Sequence, residues 1–395
     1  MTPLNARLAG FYFCYYGTVG AFMAYWTPYL LARGLSATQV GVAFGLMGVS
    51  RATVPVLWGW WADRRGERMV MIRLAALASL LIFAAIPLVQ TVPAVMALML
   101  AYTLFWNALL PQFEVVALNH LRDGGGEYSR VRLWGSVGFV GAVLAVGPLL
   151  DAIGIQWEPW LVAVLFAGMA VAAWAVPEHR SAAPPHRAGE SADATGAATP
   201  SLTAVLRQPA VIALLLVCFC SQLSYAPYYN FFTVFLERHG YSRSLAGQLW
   251  ALAVIAEIVL FALGTRLLST VGARRLMSFA LLTTVLRWLA IGLGVDSLLV
   301  LLLAQLLHAS SFACYHLVAM HYVQTLFPPA LHGRGQALYN SASYGIGGSI
   351  GSVASGWLWD AASPEALFLL AALVGAVGTL IAWRYLPRSL GRRPG

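Results

Sequence analysis

The chain contains no lysine, and only 10% of its 395 residues are charged, whereas a soluble domain carries roughly a quarter. So few charges cannot cover a water-facing globular surface, which excludes an ordinary soluble protein. None of the four cysteines, Cys14, Cys218, Cys220 and Cys314, falls in a loop where an oxidising compartment could pair it. They read as small core hydrophobes. The G-x-x-x-x-G-K-S/T loop that grips nucleotide phosphates is missing, so ATP does not drive the protein directly. There is neither the cluster of closely spaced histidines of a membrane oxygenase nor a nucleophile with its base; no catalytic residue is assigned and no enzyme is expected. His316 and His321 are five residues apart and no cysteine or acid completes a set, so neither a metal nor a cofactor is expected.

What the sequence does have is hydrophobic length. Apolar residues make up 60% of the chain, in stretches of about 20 residues, each long enough to cross a hydrocarbon core about 30 Å thick. Twelve spans are expected, at 9–32, 40–61, 69–89, 93–117, 131–151, 157–177, 208–236, 244–265, 274–294, 297–327, 333–357 and 364–386. The first apolar stretch exceeds a signal-peptide core and lacks a small-residue cleavage site, so it reads as a retained span. The fold class expected is all-α integral membrane. Residues 1–177 form an N-terminal six-helix bundle, 178–207 a linker rich in Ala, Pro, Ser, Gly and charge, and 208–395 a C-terminal six-helix bundle with a short tail.

All 24 basic residues are arginine, and their placement argues against nucleic acid as the reason for the net charge of +9. Arg64, Arg65, Arg68, Arg122, Arg130, Arg207, Arg266, Arg274, Arg275 and Arg334 fall on one face of the spans, with Arg180 and Arg187 of the linker and Arg388, Arg392 and Arg393 of the tail. Only Arg33, Arg238 and Arg243 fall on the other, beside Asp151, Glu158, Asp296, Asp360 and Glu365. By the positive-inside rule both termini and the linker are cytoplasmic, in a bacterial-type inner membrane. A shift of 206 positions brings Gly34 onto Gly240, Ser36 onto Ser242, Gly41 onto Gly247, Gly66 onto Gly272, Arg68 onto Arg274 and Cys14 onto Cys220. Parallel halves of this kind are the build of carriers that rock around a midplane site.

The turn after the second span reads Gly59-Trp60-Trp61-Ala62-Asp63-Arg64-Arg65-Gly66, a G-x-x-x-D-R-x-G pattern that resembles the major facilitator superfamily. There Gly59 lets helices approach and Asp63 can meet a helix N-terminus or an arginine, so Gly59, Asp63, Arg64 and Gly66 are gating candidates. Closer likeness lies in Val131-Arg132-Leu133-Trp134-Gly135-Ser136, Ala256-Glu257, Leu286-Arg287-Trp288, Leu307-His308 and Tyr315-His316-Leu317. These resemble the 3-phenylpropionate permease group, itself similar to the lactose permease type of proton symporter. The resemblance implies two parallel-repeat bundles and proton-coupled uptake of a small organic acid, aromatic in that group. It also implies that Glu257, Arg287 and His316 stand where that type keeps its coupling acid, arginine and histidine. The second acid that type uses in span 10 has no match, since no Asp or Glu occurs between Asp296 and Asp360.

An ionisable side chain at the bilayer centre costs about 3 kcal/mol or more and is a functional candidate. Glu257, inside an unbroken apolar run, can load and release a proton, with Arg287 as the expected cation partner; a purely structural clamp is the alternative. Gln305, His308, Phe312 and His316, spaced 3, 4 and 4 along span 10, share a helix face and suggest a cavity wall. Asn107 and Glu114 share a face of span 4. Glu114 can serve in proton coupling, or snorkel to the cytoplasm. Arg132 can reach Glu114 or a substrate carboxylate, or simply anchor topology. Arg51 is the repeat counterpart of Glu257 and can poise an anion site, or pair structurally. Tyr16 in span 1, and Tyr225 and Tyr229 in span 7, belong to aromatic stripes that suit an aromatic solute as well as ordinary packing. The expected partners are a small-molecule substrate, protons and membrane lipid, with the protein a monomer. A sugar or nucleoside symporter, a drug antiporter, and a non-transporting sensor on the same fold are the competing readings.

Overall fold

The computed structural model describes residues 2–124, 127–178 and 201–388. Most of the expected linker (179–200), with Arg180 and Arg187, and the tail arginines Arg392 and Arg393 lie outside the described residues. Every regular element among the described residues is helical, as a lipid solvent requires of a chain that must satisfy its backbone polar groups locally. In order the helices are α1 (Pro3–Ala32), α2 (Ala37–Arg65), α3 (Arg68–Ala85), α4 (Val92–Gly124), α5 (Tyr128–Ile153), α6 (Glu158–Ala175), a short α7 (Leu202–Leu206), α8 (Pro209–Arg238), α9 (Arg243–Val271), α10 (Ala273–Gly294), α11 (Leu298–His308), α12 (Tyr315–Leu326), α13 (His332–Asn340), α14 (Gly348–Ala361) and α15 (Pro364–Tyr385).

Among the described residues, ten segments are long and apolar enough to cross a membrane. Two more are equally long but more polar: α1, with its tyrosines and threonines, and the run α13 to α14. Together they make the twelve spans of the fold. The tenth span is not one α-helix. Ala309–Cys314 forms a π-helical turn between α11 and α12, and Ser341–Gly347 another between α13 and α14. Such turns often mark functional positions within a helix.

Local chemistry sets the ends. Ser36 caps α2 by accepting from Gln39 N at 3.2 Å while the Gln39 side chain takes Ser36 N at 3.0 Å, a capping box. Its counterpart 206 residues on, Ser242, accepts from Leu245 N at 3.2 Å and starts α9. Gly66, with φ +72°, ends α2 in the left-handed region, and Gly272, φ +85°, precedes α10. The 206-residue repeat is thus carried by the backbone: α1 and α8, and α2 and α9, start and end at positions that differ by that same number.

The structure divides into two compact units: Met1–Pro185 with Tyr229–Ala251, and His186–Tyr228 with Leu252–Gly395. In the first, α1 packs along α5 and α6, and α4 lies against α2 and α3. The α1/α5 crossing is close because Gly138 lies on the backbone of Phe13; a Cβ there would overlap the Phe13 carbonyl. The second unit repeats the device. A Cβ on Gly347 would come within 2.7 Å of the Phe219 carbonyl oxygen, and Phe219 is the repeat counterpart of Phe13. By contrast Gly59 is no tight crossing: a Cβ there would meet only the Gln112 side chain, at an ordinary 3.5 Å. The expectation that Gly59 serves close approach is therefore corrected.

The first unit also holds the start of α9. Asp151, at the end of α5, accepts from Arg243 N at 3.1 Å and Ser244 N at 2.9 Å, satisfying two of the orphan amides at a helix N-terminus and complementing its dipole. Tyr25 donates its hydroxyl to the Val143 carbonyl at 2.8 Å and lies 3.3 Å from the Arg243 carbonyl.

Candidate functional site

The strongest concentration of buried polar chemistry lies in the second unit, where α8, α9, α10 and α11 each supply a side chain. Arg287 of α10 is wholly buried. Its Nε donates to the Ala304 carbonyl at 3.0 Å and its Nη2 to Gln305 Oε1 at 3.0 Å. The same Gln305 oxygen accepts from the Tyr228 hydroxyl at 3.0 Å, so one amide oxygen joins α8, α10 and α11. The guanidinium carbon lies 4.0 Å from the Tyr228 ring centre and 5.7 Å from that of Tyr225, within cation–π range. The Tyr225 hydroxyl donates to Ser311 Oγ in the π-helical turn at 2.7 Å.

Glu257 of α9 meets His308 of α11, with Nε2 to Oε2 at 3.3 Å. The expected partner was Arg287; the structure instead commits that guanidinium to Ala304, Gln305 and the tyrosine rings. The reason is rotation: Arg287 points from α10 toward α11 one turn before His308, and a sequence does not report helix rotation. The contact is a hydrogen bond while the imidazole is neutral and an ion pair when it is protonated. Three buried polar atoms of this cluster have no hydrogen-bond partner: Arg287 Nη1, Gln305 Nε2 and His308 Nδ1. Unpaired buried groups are rare and costly, about 1–3 kcal/mol each.

The expected face of span 10 is present despite the π-helical turn. His308 and Phe312 stack with centroids 5.3 Å apart, and Phe312 and His316 at 6.3 Å, both pairs within 9° of parallel. His316 does not join the Glu257 cluster directly. Its Nδ1 lies 3.0 Å from the Tyr339 hydroxyl. Tyr225 and Tyr229 lie one helical turn apart on α8, and Tyr229 stacks on Trp250, with centroids 6.5 Å apart.

In the first unit Arg132 lies over the Tyr16 ring, 4.0 Å from its centre, and donates to the Tyr16 hydroxyl. Its Nε stands 3.9 Å from Glu114 Oε1, with both side chains about a third exposed, and Tyr128 donates to the same carboxylate oxygen at 3.3 Å. Asn107 is turned elsewhere: it donates to Ser50 Oγ at 2.9 Å, and Ser50 to Thr103 Oγ1 at 3.1 Å. Arg51, the next residue, is exposed.

At the loop motif Asp63 pairs with Arg68, which also donates to Gln112. Arg64 lies 3.7 Å from the Trp60 ring centre. The helix N-terminus that Asp63 might have capped is taken by Glu178, whose Oε2 accepts from Met69 N at 2.9 Å. The sequence reading passed over Tyr228, Ser311, Tyr128 and Glu178. Only Tyr228 carried a signal, its place three residues beyond Tyr225 in an aromatic-rich span.

The sequence pattern of the MFS_1 like family matches residues 5–370. The chain belongs to that family. It is 29% identical over 350 residues to a probable 3-phenylpropionic acid transporter of Escherichia coli (strain K12), across 88% of this chain and 89% of the relative. Maltose permease of Geobacillus stearothermophilus is 26% identical over 376 residues, across 94% and 92%. Among solved structures, the nucleoside transporter NupG superposes with a TM-score of 0.78 at 15% identity, covering 98% of both chains, a likeness of fold. This MFS_1 like family member is a multi-pass membrane transporter of the twelve-helix, two-bundle fold, and its relatives are transporters rather than enzymes.

Proposed function

We propose that this MFS_1 like family member is a proton-coupled importer of a small organic acid, with an aromatic carboxylate as its substrate. The observation that carries the reading is Arg287: a fully buried guanidinium among tyrosine rings, in no ion pair among the described residues, with its Nη1 unpaired and the amide nitrogen of Gln305 unpaired too. A carboxylate is the ligand such donors suit, because it accepts charge-assisted hydrogen bonds from both, and Tyr225, Tyr228 and Phe312 make the surroundings aromatic. The Glu257–His308 contact supplies a proton store two helices wide, next to that cation. The name of the E. coli relative supports the substrate class.

In this reading Glu257, His308 and Arg287 couple proton and substrate. Glu114 with Arg132 and Tyr16 forms a second polar station, His316 tunes the wall of span 10, and Arg51 and Asn107 serve the substrate path. The bundles of 1–177 and 208–395 are the moving bodies, joined by 178–207. The protein works as a monomer in a bacterial inner membrane with both termini cytoplasmic, as the arginine bias supports.

Right-side-out vesicles with an imposed inward proton gradient test this. Labelled phenylpropionate should accumulate, and Glu257→Gln should abolish accumulation while counterflow exchange survives. Folded wild-type protein that accumulates no aromatic acid, yet takes up uridine or maltose, would overturn the substrate class and keep the carrier.

A further inference from the structure

The most costly side chain outside that site is Glu158, the first residue of α6. It is 0% exposed, and neither carboxyl oxygen has a hydrogen-bond partner or an ion pair. The sequence counts it among the acids on the arginine-poor side, at the start of the span 157–177. It sits inside the first unit, against an aromatic cluster from four helices. Trp26 of α1 lies 5.0 Å from Tyr29 and 4.9 Å from Phe83 of α3. Phe83 in turn touches Tyr102 of α4 at 5.2 Å and Phe166 of α6 at 5.0 Å. Among the residues of this cluster, Tyr29 and Tyr102 are near Glu158.

The polar atoms of this cluster are complementary and unsatisfied. Tyr102 Oη and Trp26 Nε1 are both buried without a partner, and each can donate to a carboxyl oxygen. The other ionisable groups nearby are committed. Arg33 of α1 donates to the Tyr29 hydroxyl at 2.8 Å and to the Val89 carbonyl at 2.5 Å. Asp151 of α5 holds the start of α9. Arg73 of α3 donates to the carbonyls of Ala173 and Val176 at the opposite end of α6. A metal ion does not fit, since an indole N–H cannot ligate and no group of three His, Cys, Asp or Glu forms among the described residues. An isolated carboxylate in such surroundings costs several kcal/mol, and taking up a proton removes that cost.

We propose that Glu158 is a proton-binding carboxyl, held as the neutral acid within the Trp26–Tyr29–Tyr102 cluster and exchanging its proton through the end of the unit marked by Arg33. Tyr29, already accepting from Arg33, keeps its own O–H, which a small side-chain rotation would turn toward the acid. The site is independent of Glu257 and His308 and does not rest on the substrate assigned above.

Infrared difference spectroscopy of the purified full-length protein, titrated with pH, tests it without transport. Wild type should show a carboxylic acid C=O band that is missing from Glu158→Gln and shifted in frequency by Tyr102→Phe, which removes one donor. Glu158→Gln should also release about one proton fewer per molecule when the pH is raised. Tyr102→Phe keeps the acid, and so decides the matter if Glu158→Gln does not fold. A Glu158 band that is absent at neutral pH, or one indifferent to Tyr102→Phe, overturns the proposal. So does a band that sodium abolishes at constant pH, which would make the group a cation ligand.

Discussion

Two arginines lie among tyrosine rings in this protein, and their surroundings are opposite. Arg132, in the first unit, is about a third exposed, stands 3.9 Å from Glu114 and rests on Tyr16. Arg287, in the second, is 0% exposed and held by Ala304 and Gln305, with no carboxylate on it. A partly hydrated ion pair is weak and adaptable, worth about 0–1 kcal/mol. A buried guanidinium is rigid, and everything around it has to answer its charge. The difference teaches that the second unit holds a rigid, preorganised guanidinium and the first a softer ion pair able to change partners.

The sharpest way to break this contrast is Arg287→Lys. Lysine keeps the charge but loses the planar fork that reaches Ala304 and Gln305 together. Initial uptake of the acid should fall about a hundredfold, or roughly 3 kcal/mol. A drop below about fivefold would mean that charge alone suffices. Next in size is Gln305→Leu, which strands both the Tyr228 hydroxyl and Arg287 Nη2. Thermal unfolding in detergent should register about 2 kcal/mol of lost stability, and an unchanged melting temperature would show that the amide is dispensable to the fold. The smallest effect is expected from Arg132→Lys. The half-hydrated pair with Glu114 tolerates a point charge, so KM should rise about fivefold, near 1 kcal/mol, with kcat kept. If Arg132→Lys proved as damaging as Arg287→Lys, the two stations would be equivalent and the contrast void.

Much of this was readable in one dimension. Spans, caps and the 206-residue repeat are local or periodic signals, and Ser36, Ser242, Gly66 and Gly272 stand in the structure where their spacing put them. The membership of the candidate site was largely readable too, because Glu257, Arg287, Gln305 and His308 are expensive residues in apolar stretches and each declares itself. Pairing was not. Glu257 meets His308 rather than Arg287, and nothing in the order of residues announced that Asn107 would bond Ser50 or that Tyr229 would stack on Trp250.

The amino-acid order was therefore sufficient for the series of apolar spans, their repeat and the polar residues they carry into the membrane, since apolar length and repeat are properties of neighbours along the chain. Packing alone chose which donor faces which acceptor, which glycine meets which backbone, and that Glu158 is sealed from solvent. Those outcomes depend on the rotation and tilt of helices joined by loops. Turning a helix by one residue, about 100°, exchanges one partner for another and leaves the hydropathy pattern as it was.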